Sequence, residues 1–505
     1  MPSTRFMDSG RGGTARLSAH PGYTPLEPST SAEGGMIMKR IRGLWKWMVL
    51  VGLLGSLASC GQPEGAPMGP TGTPVPPSRL PSPPASPTST PAPTLPSTPI
   101  APCATAPMGR LAFLRDGAVG WKDLPGGEER WRTPAEGYTR LALSPDGAWV
   151  LAWKGESAAV VLEMTGTATL SLPEGIQAAV WAPSGATLAY ADAQGIWILE
   201  PASGSRRPMW TWEKGMHLDP GAPVGLAWSP DGTRLAFSYE RIGSSPGQIV
   251  EQGLAWVDRS GNLRRVWSFP NGAQEQAWLA GWSGDGRWLL FWHGLHRSMS
   301  LAADGLELLA ISATGGTSPQ EVANPVLPWP GAVAPQPGTS VVVVMAGGGR
   351  EMWHNKTLIK VDLATGEQHA LLPSGWVGFA PRWSPDGHRL AFVAAPDAGE
   401  AGDPGALAQR RIAILDPEDE SPRILSAPYE MRMEGPVWAD SGRFVLGIGL
   451  QGEQVALWLL AADGSCRMPV VERLTPPQMV AGAPALLGFY GRIDWDWIFD
   501  FRFRD

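Results

Sequence analysis

Local signatures of catalysis are scarce in this chain of 505 residues. It has no Gly-x-Ser-x-Gly elbow, no Walker loop and no dinucleotide fingerprint, so the enzyme classes that carry such signatures gain no support. Histidine is sparse, with 7 residues in all. His293-x-x-His296 is neither the i, i+4 pair of a helical zinc peptidase nor followed by a third ligand, and it reads as a loop with two imidazoles. No metal and no cofactor is expected. A basic excess is missing too: 40 Lys and Arg stand against 47 Asp and Glu, a formal net charge of −7, which leaves no stripe for nucleic acid. The apolar run from Trp47 to Ala58 is well short of the roughly 20 residues that a membrane-spanning helix needs. Helical periodicity is hard to find anywhere after it.

That short run follows Lys39-Arg40-Ile41-Arg42 and ends in Leu57-Ala58-Ser59-Cys60, the basic, apolar and small residues of a secretory signal in order. Leu57-Ala58-Ser59-Cys60 resembles the lipobox of bacterial lipoproteins. The resemblance implies that Cys60 is lipidated and becomes the first mature residue. The expected layout is a signal peptide over 36–59, preceded by a polar lead over 1–35 that does not fit such a signal, with Met36 or Met38 as the alternative start. Residues 60–107 turn to Pro, Ser, Thr, Ala and Gly, as in "PPSRLPSPPASPTSTPAPTLPSTP". Too little apolar surface is present there to offset ordering entropy, and the prolines favour extended geometry at about 3.1 Å per residue. The segment reads as a disordered tether, able to hold a globular body on the order of 100 Å from a membrane. These expectations place the body, residues 108–505, outside the cytoplasm and anchored by lipid to the cell membrane or envelope.

Repetition dominates that body. "WSPDGTRLAF", starting at Trp228, returns as "WSPDGHRLAF", starting at Trp383. Turn glycines recur at Gly147, Gly185, Gly232, Gly286, Gly387 and Gly442, roughly every 40 to 55 residues, with a double gap before Gly387. Near the middle of that gap, Gly338 in "VAPQPGTSVVVV" marks a degraded copy. Each copy has an apolar strand before the turn, another after it, then usually a third and a poorer fourth. Four short antiparallel strands at this period predict an all-β fold, a single β-propeller. The repeat resembles that of the TolB-type propellers, relatives of the WD-repeat propellers, over nearly all of the chain after the tether.

Second strands at Arg110, Trp149, Leu188, Leu235, Trp288, Val341, Leu390 and Phe444 predict eight blades, or seven if one is an elaboration. The first repeat starts at its second strand, so the C-terminus is expected to supply the missing first strand. Candidates are Pro484 to Tyr490 and "DWDWIFDFRFRD", where Trp495, Trp497, Phe499, Phe501 and Phe503 alternate with other residues at period two. Closure of the ring would bring Cys103, just before the first blade, to Cys466 in the last, a possible bridge in an oxidising compartment.

Ser-Pro-Asp-Gly suits a tight turn, since proline pre-sets φ, aspartate accepts backbone hydrogen bonds and glycine tolerates positive φ. Asp146, Asp231, Asp285 and Asp386, with Gly147, Gly232, Gly286 and Gly387, are therefore expected to be structural. They fall in different blades and cannot converge on one reacting atom. Asp494, Asp496 and Asp500 would share one strand face, which permits calcium and more simply gives a solvated face.

The longest insertions all belong to the rim opposite these turns: 240–252, 293–304, 346–356, 396–409 and the blade-to-blade segment 207–223. Long loops gathered on one rim of a rigid scaffold are where function concentrates. That rim carries the candidate binding residues Trp210, Trp212, His217, Arg241, His293, His296, Arg297, Arg350, Trp353 and His354, a mix suited to anchoring a protein, peptide or glycan. Tryptophans at the repeat position, such as Trp228, Trp282, Trp383 and Trp438, read as core. The favoured function is a non-catalytic binding scaffold. The alternative is an extracytoplasmic hydrolase or lyase with its site at the channel mouth, for which convergent carboxylates, histidines or arginines would be the mark.

Overall fold

The computed structural model describes residues 100–504, apart from 246–247, 271–274, 295–297, 417–418, 420, 428–430, 453 and 478–489. Cys60 and the expected signal and tether up to residue 99 lie outside the described residues, as do His296, Arg297 and residues 484–489 of one candidate closing strand.

The second strand of each repeat reads as a continuous apolar run because it is buried on both faces. Leu235, Ala236 and Phe237 are fully buried, as are Leu289, Leu290 and Phe291. Such a strand needs a sheet packed against each side, and successive repeats provide those sheets. Among the described residues the strands form seven antiparallel sheets, five of four strands, one of five and one of eight. The eight-stranded sheet is two four-stranded units joined only through the pair Val326 and Ala346. In the five-stranded sheet the innermost position is shared by Met216–Leu218 and Ala227–Trp228, both paired with Arg234–Ile242. Eight four-stranded blades result. The degraded copy is the sixth: Gln336 N–H bonds to Val341 O across its turn, and Gly338 has φ 71°.

Phe499–Phe503 pairs antiparallel with Gly109–Arg115, so the last strand of the chain is the innermost strand of the first blade. The strand is shorter than the alternation predicts. Trp495–Trp497 forms a turn of 3-10 helix instead, with the Ile498 N–H bonded to Trp495 O. Of the three aspartates expected on one strand face, only Asp500 lies on the strand. Tertiary contact overrides the local pattern here. The Trp495 indole is drawn into blade eight, where it donates to Glu434 at 2.8 Å. Segment 207–223 also departs from expectation, since Ser205–Thr211 and Met216–Leu218 are strands. Cys103 and Cys466 form a disulfide beside this closure.

Two side chains of the repeat join several blades to their neighbours, with Trp228 an exception, its buried indole N–H having no acceptor among the described residues. The tryptophan ending the first strand donates its indole N–H backward, to a first-strand carbonyl of the preceding blade: Trp181 to Ala142, Trp282 to Ala227, Trp383 to Ala334 and Trp438 to Arg382, at 2.9 to 3.1 Å. The arginine opening the second strand donates forward, to the turn-glycine carbonyl of the next blade: Arg110 to Gly147, Arg234 to Gly286 and Arg389 to Gly442, at 2.9 to 3.0 Å. In blade six Gln336 makes the equivalent bond to Gly387 at 2.7 Å. Each such bond satisfies a carbonyl that burial would otherwise leave unpaired, at a net gain of about 1 kcal/mol.

Candidate functional site: the loop rim and the channel mouth

Strand direction decides which rim each segment reaches. First strands run toward the Ser-Pro-Asp-Gly turns, so these turns share one rim with the third-to-fourth turns. The second-to-third loops and the blade-to-blade connections share the other.

On the turn rim four aspartates make the same contacts. Asp146, Asp231, Asp285 and Asp386 each accept from the serine two residues earlier at 2.5 to 2.6 Å and from the N–H two residues later at 3.0 Å. Burial raises the Asp231, Asp285 and Asp386 carboxyls, and the serine and backbone bonds outweigh it, so all three lie below the usual aspartate range. The turn glycines have φ near 70°, except Gly442 at 139°, all in the region that side chains disfavour. In the last copy, "WADSG", Asp440 takes over and accepts from the N–H groups of Gly442, Arg443 and Phe444.

On the loop rim the candidate residues fall into three separate groups. In blades three and four, Trp210 and Trp212 pack edge-on against each other and onto Phe237, and Trp212 donates to Asp192 O at 2.7 Å. His217 bonds Leu218 O through Nδ1, and Arg241 pairs with Glu251. Glu251 in turn accepts from the Tyr239 hydroxyl at 2.6 Å, and burial together with that carboxylate pushes the phenol well above its ordinary value. In blade five His293 stacks on Phe269 and lies between Glu307 at 3.0 Å and Glu275 at 3.5 Å. In blade six Arg350 grips Asp304 through two bonds of 2.7 and 2.8 Å. His354 bonds Asp397 of blade seven at 2.7 Å, and Trp353 is partly buried beside Gly402 and Gly491. These side chains fasten neighbouring loops to one another, and they do not converge.

Three features escape sequence reasoning. Lys356 is 2% exposed, and its ammonium donates to the carbonyls of Gly348, Gly349 and His354. Burial lowers its pKa to about 8. Arg410 and Glu434, 1% and 2% exposed, form an ion pair of 2.8 Å. Burial raises the Glu434 carboxyl, but the charges of Arg410 and Arg432 and the Trp495 bond hold it below its usual range. The third feature is the course of residues 490–498 over the channel mouth. Tyr490 O accepts from Met352 of blade six and Gly491 O from Arg410 of blade seven. Asp494 accepts from Trp329 of blade six at 2.8 Å, and Asp496 pairs with Arg382 of blade seven. Trp495 enters blade eight beside Gly435, where a Cβ would lie 2.9 Å from its own. Trp497 carries the Arg140 guanidinium of blade two 5.2 Å from its ring centre. On the strand below, Asp500 accepts from Leu143 N–H and Arg502, and burial raises its carboxyl.

Acids and arginines thus gather at the mouth, most of them paired with one another, while Asp494 is held by the Trp329 indole and Arg140 lies over the Trp497 ring. Among the described residues no group of three or more His, Cys, Asp or Glu is arranged to hold a metal ion. The exposed apolar side chains follow a different pattern. Among the described residues, Trp131, Ile242, Leu301, Trp376, Tyr490 and Trp497, each 37 to 54% exposed, all lie on the loop rim, and Met108 alone of the exposed large apolar residues lies toward the turn rim.

No known protein family and no curated protein matches this sequence. Solved structures match it in shape. Dipeptidyl peptidase 4 of Porphyromonas gingivalis aligns with 74% of this chain at a TM-score of 0.51 and 10% identity. The chain is a β-propeller. TolB from Acinetobacter baumannii aligns with 72% of the propeller chain at 16% identity and a TM-score of 0.32. An oligogalacturonate lyase from Vibrio parahaemolyticus aligns with 74% at 12% identity and a TM-score of 0.39, and 89% of that enzyme is covered. The propeller chain spans 59% of the peptidase and 65% of TolB, less than two thirds of either. At these identities the likeness is one of fold alone.

Proposed function

We propose that this propeller is a lipid-anchored, extracytoplasmic binding scaffold that holds a protein, peptide or glycan on its loop rim. The observation that carries this reading is the one-sided distribution of exposed large apolar side chains among the described residues, six on the loop rim and one toward the other. Aromatic side chains fixed on a rigid frame offer large contact area at little entropic cost. The paired charges at the channel mouth favour binding over chemistry, since a reacting group needs a free acid or base. The Cys103–Cys466 bridge is of the kind that persists in oxidising compartments. Ala101 pairs with Cys466 at a third-to-fourth turn, so the chain enters on the turn rim.

The test is affinity capture by the full chain from surface extracts of its own cells, compared with a Trp376→Ala, Trp497→Ala double variant. We expect a species retained by the native chain and reduced about tenfold or more in the variant at unchanged melting temperature. Equal retention by both chains would overturn the reading.

A further inference from the structure

We infer that the corner of the loop rim at blade one is a binding subsite for an acidic saccharide, a ring-bearing chain with carboxylate or sulfate groups. The assignment rests on the loop-rim reading and supplies it with a ligand class. A cavity of about 550 Å³ opens there, walled by the hairpin at Arg115 and Asp116, the connection from Trp131 to Ala135, and Arg473 from the last connection. A second of about 380 Å³ shares Arg115 and Arg473 and extends to Lys122.

The walls are fixed. Thr133 Oγ1 accepts from Val119 N–H at 3.0 Å, Gly117 O accepts from Glu136 and Tyr138 N–H, and Arg115 donates to Arg473 O at 2.8 Å. Trp131 lies edge-on to Phe113 with the Arg115 guanidinium 5.2 Å from its ring centre, yet stays 47% exposed. A held, half-open indole is a stacking platform for the C–H face of a sugar ring.

Charge decides the class of ligand. Arg115, Lys122, Arg132 and Arg473 line the two cavities against Asp116, Glu129 and Glu472, a local surplus of cation on a chain of net charge −7. Arg115 is paired with Glu129, which accepts from its Nη1 and Nη2 at 2.8 and 3.1 Å, and two of the other cations are held by neutral acceptors. Arg132 reaches from the cavity wall to the third-to-fourth turn of blade two, where it donates to Glu163 O, Ala168 O and Thr169 Oγ1 at 2.6 to 3.0 Å through Nε and Nη2, and among the described residues nothing accepts from its Nη1. Lys122 donates to Val470 O at 3.1 Å. Arg473, its side chain 65% exposed, pairs through Nη2 with Asp116. Guanidinium donors beside an aromatic face bind an anionic group on a ring, and two cavities in a row suit an oligomer.

Calorimetric titration of the full chain with hyaluronan, chondroitin sulfate and neutral chitin hexasaccharides tests this. Binding of at least one acidic hexamer, about tenfold or more tighter than the neutral one and weaker at higher salt, is expected. The preferred acidic hexamer separates carboxylate from sulfate recognition. Trp131→Ala should weaken it about tenfold, and Arg473→Gln, which touches no buried contact, about threefold or more, at unchanged melting temperature. Absence of binding by both acidic hexamers, affinity unchanged in both variants, or tighter binding of an acidic peptide would overturn the assignment. If the acidic hexamers fail while the Trp376, Trp497 variant still loses its captured species, the ligand class falls and the loop-rim reading stands.

Discussion

Removing the bridge by Cys103→Ala with Cys466→Ala tests how the ring is held shut. The two cysteines are 363 residues apart, and the chain-entropy relation for so long a loop sets a ceiling of about 6 kcal/mol. Bridges in folded proteins deliver less, because the denatured chain is not a free coil, and the expected loss is about 3 kcal/mol. The loss should be local in its route. Blade one receives its innermost strand from the C-terminus, and the bridge spans the same junction between blades one and eight. Without it, opening at that junction becomes the easiest excursion from the native state. Guanidinium denaturation should show a lower midpoint, and native-state hydrogen exchange should quicken on Gly109–Arg115 and Phe499–Phe503 while leaving Arg234–Ile242 protected. An unchanged midpoint, or acceleration greatest on Arg234–Ile242, would refute the argument.

Trp282→Phe removes an indole bond of 2.9 Å to Ala227 O at a site 4% exposed, and should cost about 1 to 3 kcal/mol in thermal unfolding. A cost no greater than that of Trp131→Phe at the surface would mean the inter-blade bond contributes nothing. Lys356 gives a pH dependence of definite sign. Its folded value, about 8, lies below the unfolded lysine value of about 10.4, so between the two the unfolded chain holds a proton that the folded chain has released. Stability should therefore rise with pH through that window, and Lys356→Met should abolish the rise. Equal slopes in both chains would show that the buried ammonium is not its source.

The blades were legible because their signal is local and repeated. Every expected second strand is a strand, including the one after Gly338, whose copy of the motif has lost tryptophan, serine and aspartate. The end of the chain was less legible. Residues 494–503 alternate as a strand should, yet the bonds of Trp495 to Glu434 and of Asp494 to Trp329 bend the first half into a turn, and these partners lie 61 and 165 residues away in sequence. The rim shows the same limit. Tryptophan, arginine and histidine off the repeat pointed to Arg350, Trp353 and His354, but whether such a side chain faces water depends on loops from the next blade. Asp304 and Asp397 engage Arg350 and His354, whereas Trp376, at the loop end of its strand, stays 37% exposed. Lys356 offered no signal, because its partners are main-chain carbonyls.

The bonds between blades have a consequence for how such a chain diverges. Tryptophan reaches backward and arginine forward, and each ends on a peptide carbonyl, which every residue type possesses. At these bonds a blade recognises the backbone of its neighbour, whichever side chain the accepting residue carries. The accepting residues can change without matching changes in the donors, while the apolar side chains packed between blades remain coupled.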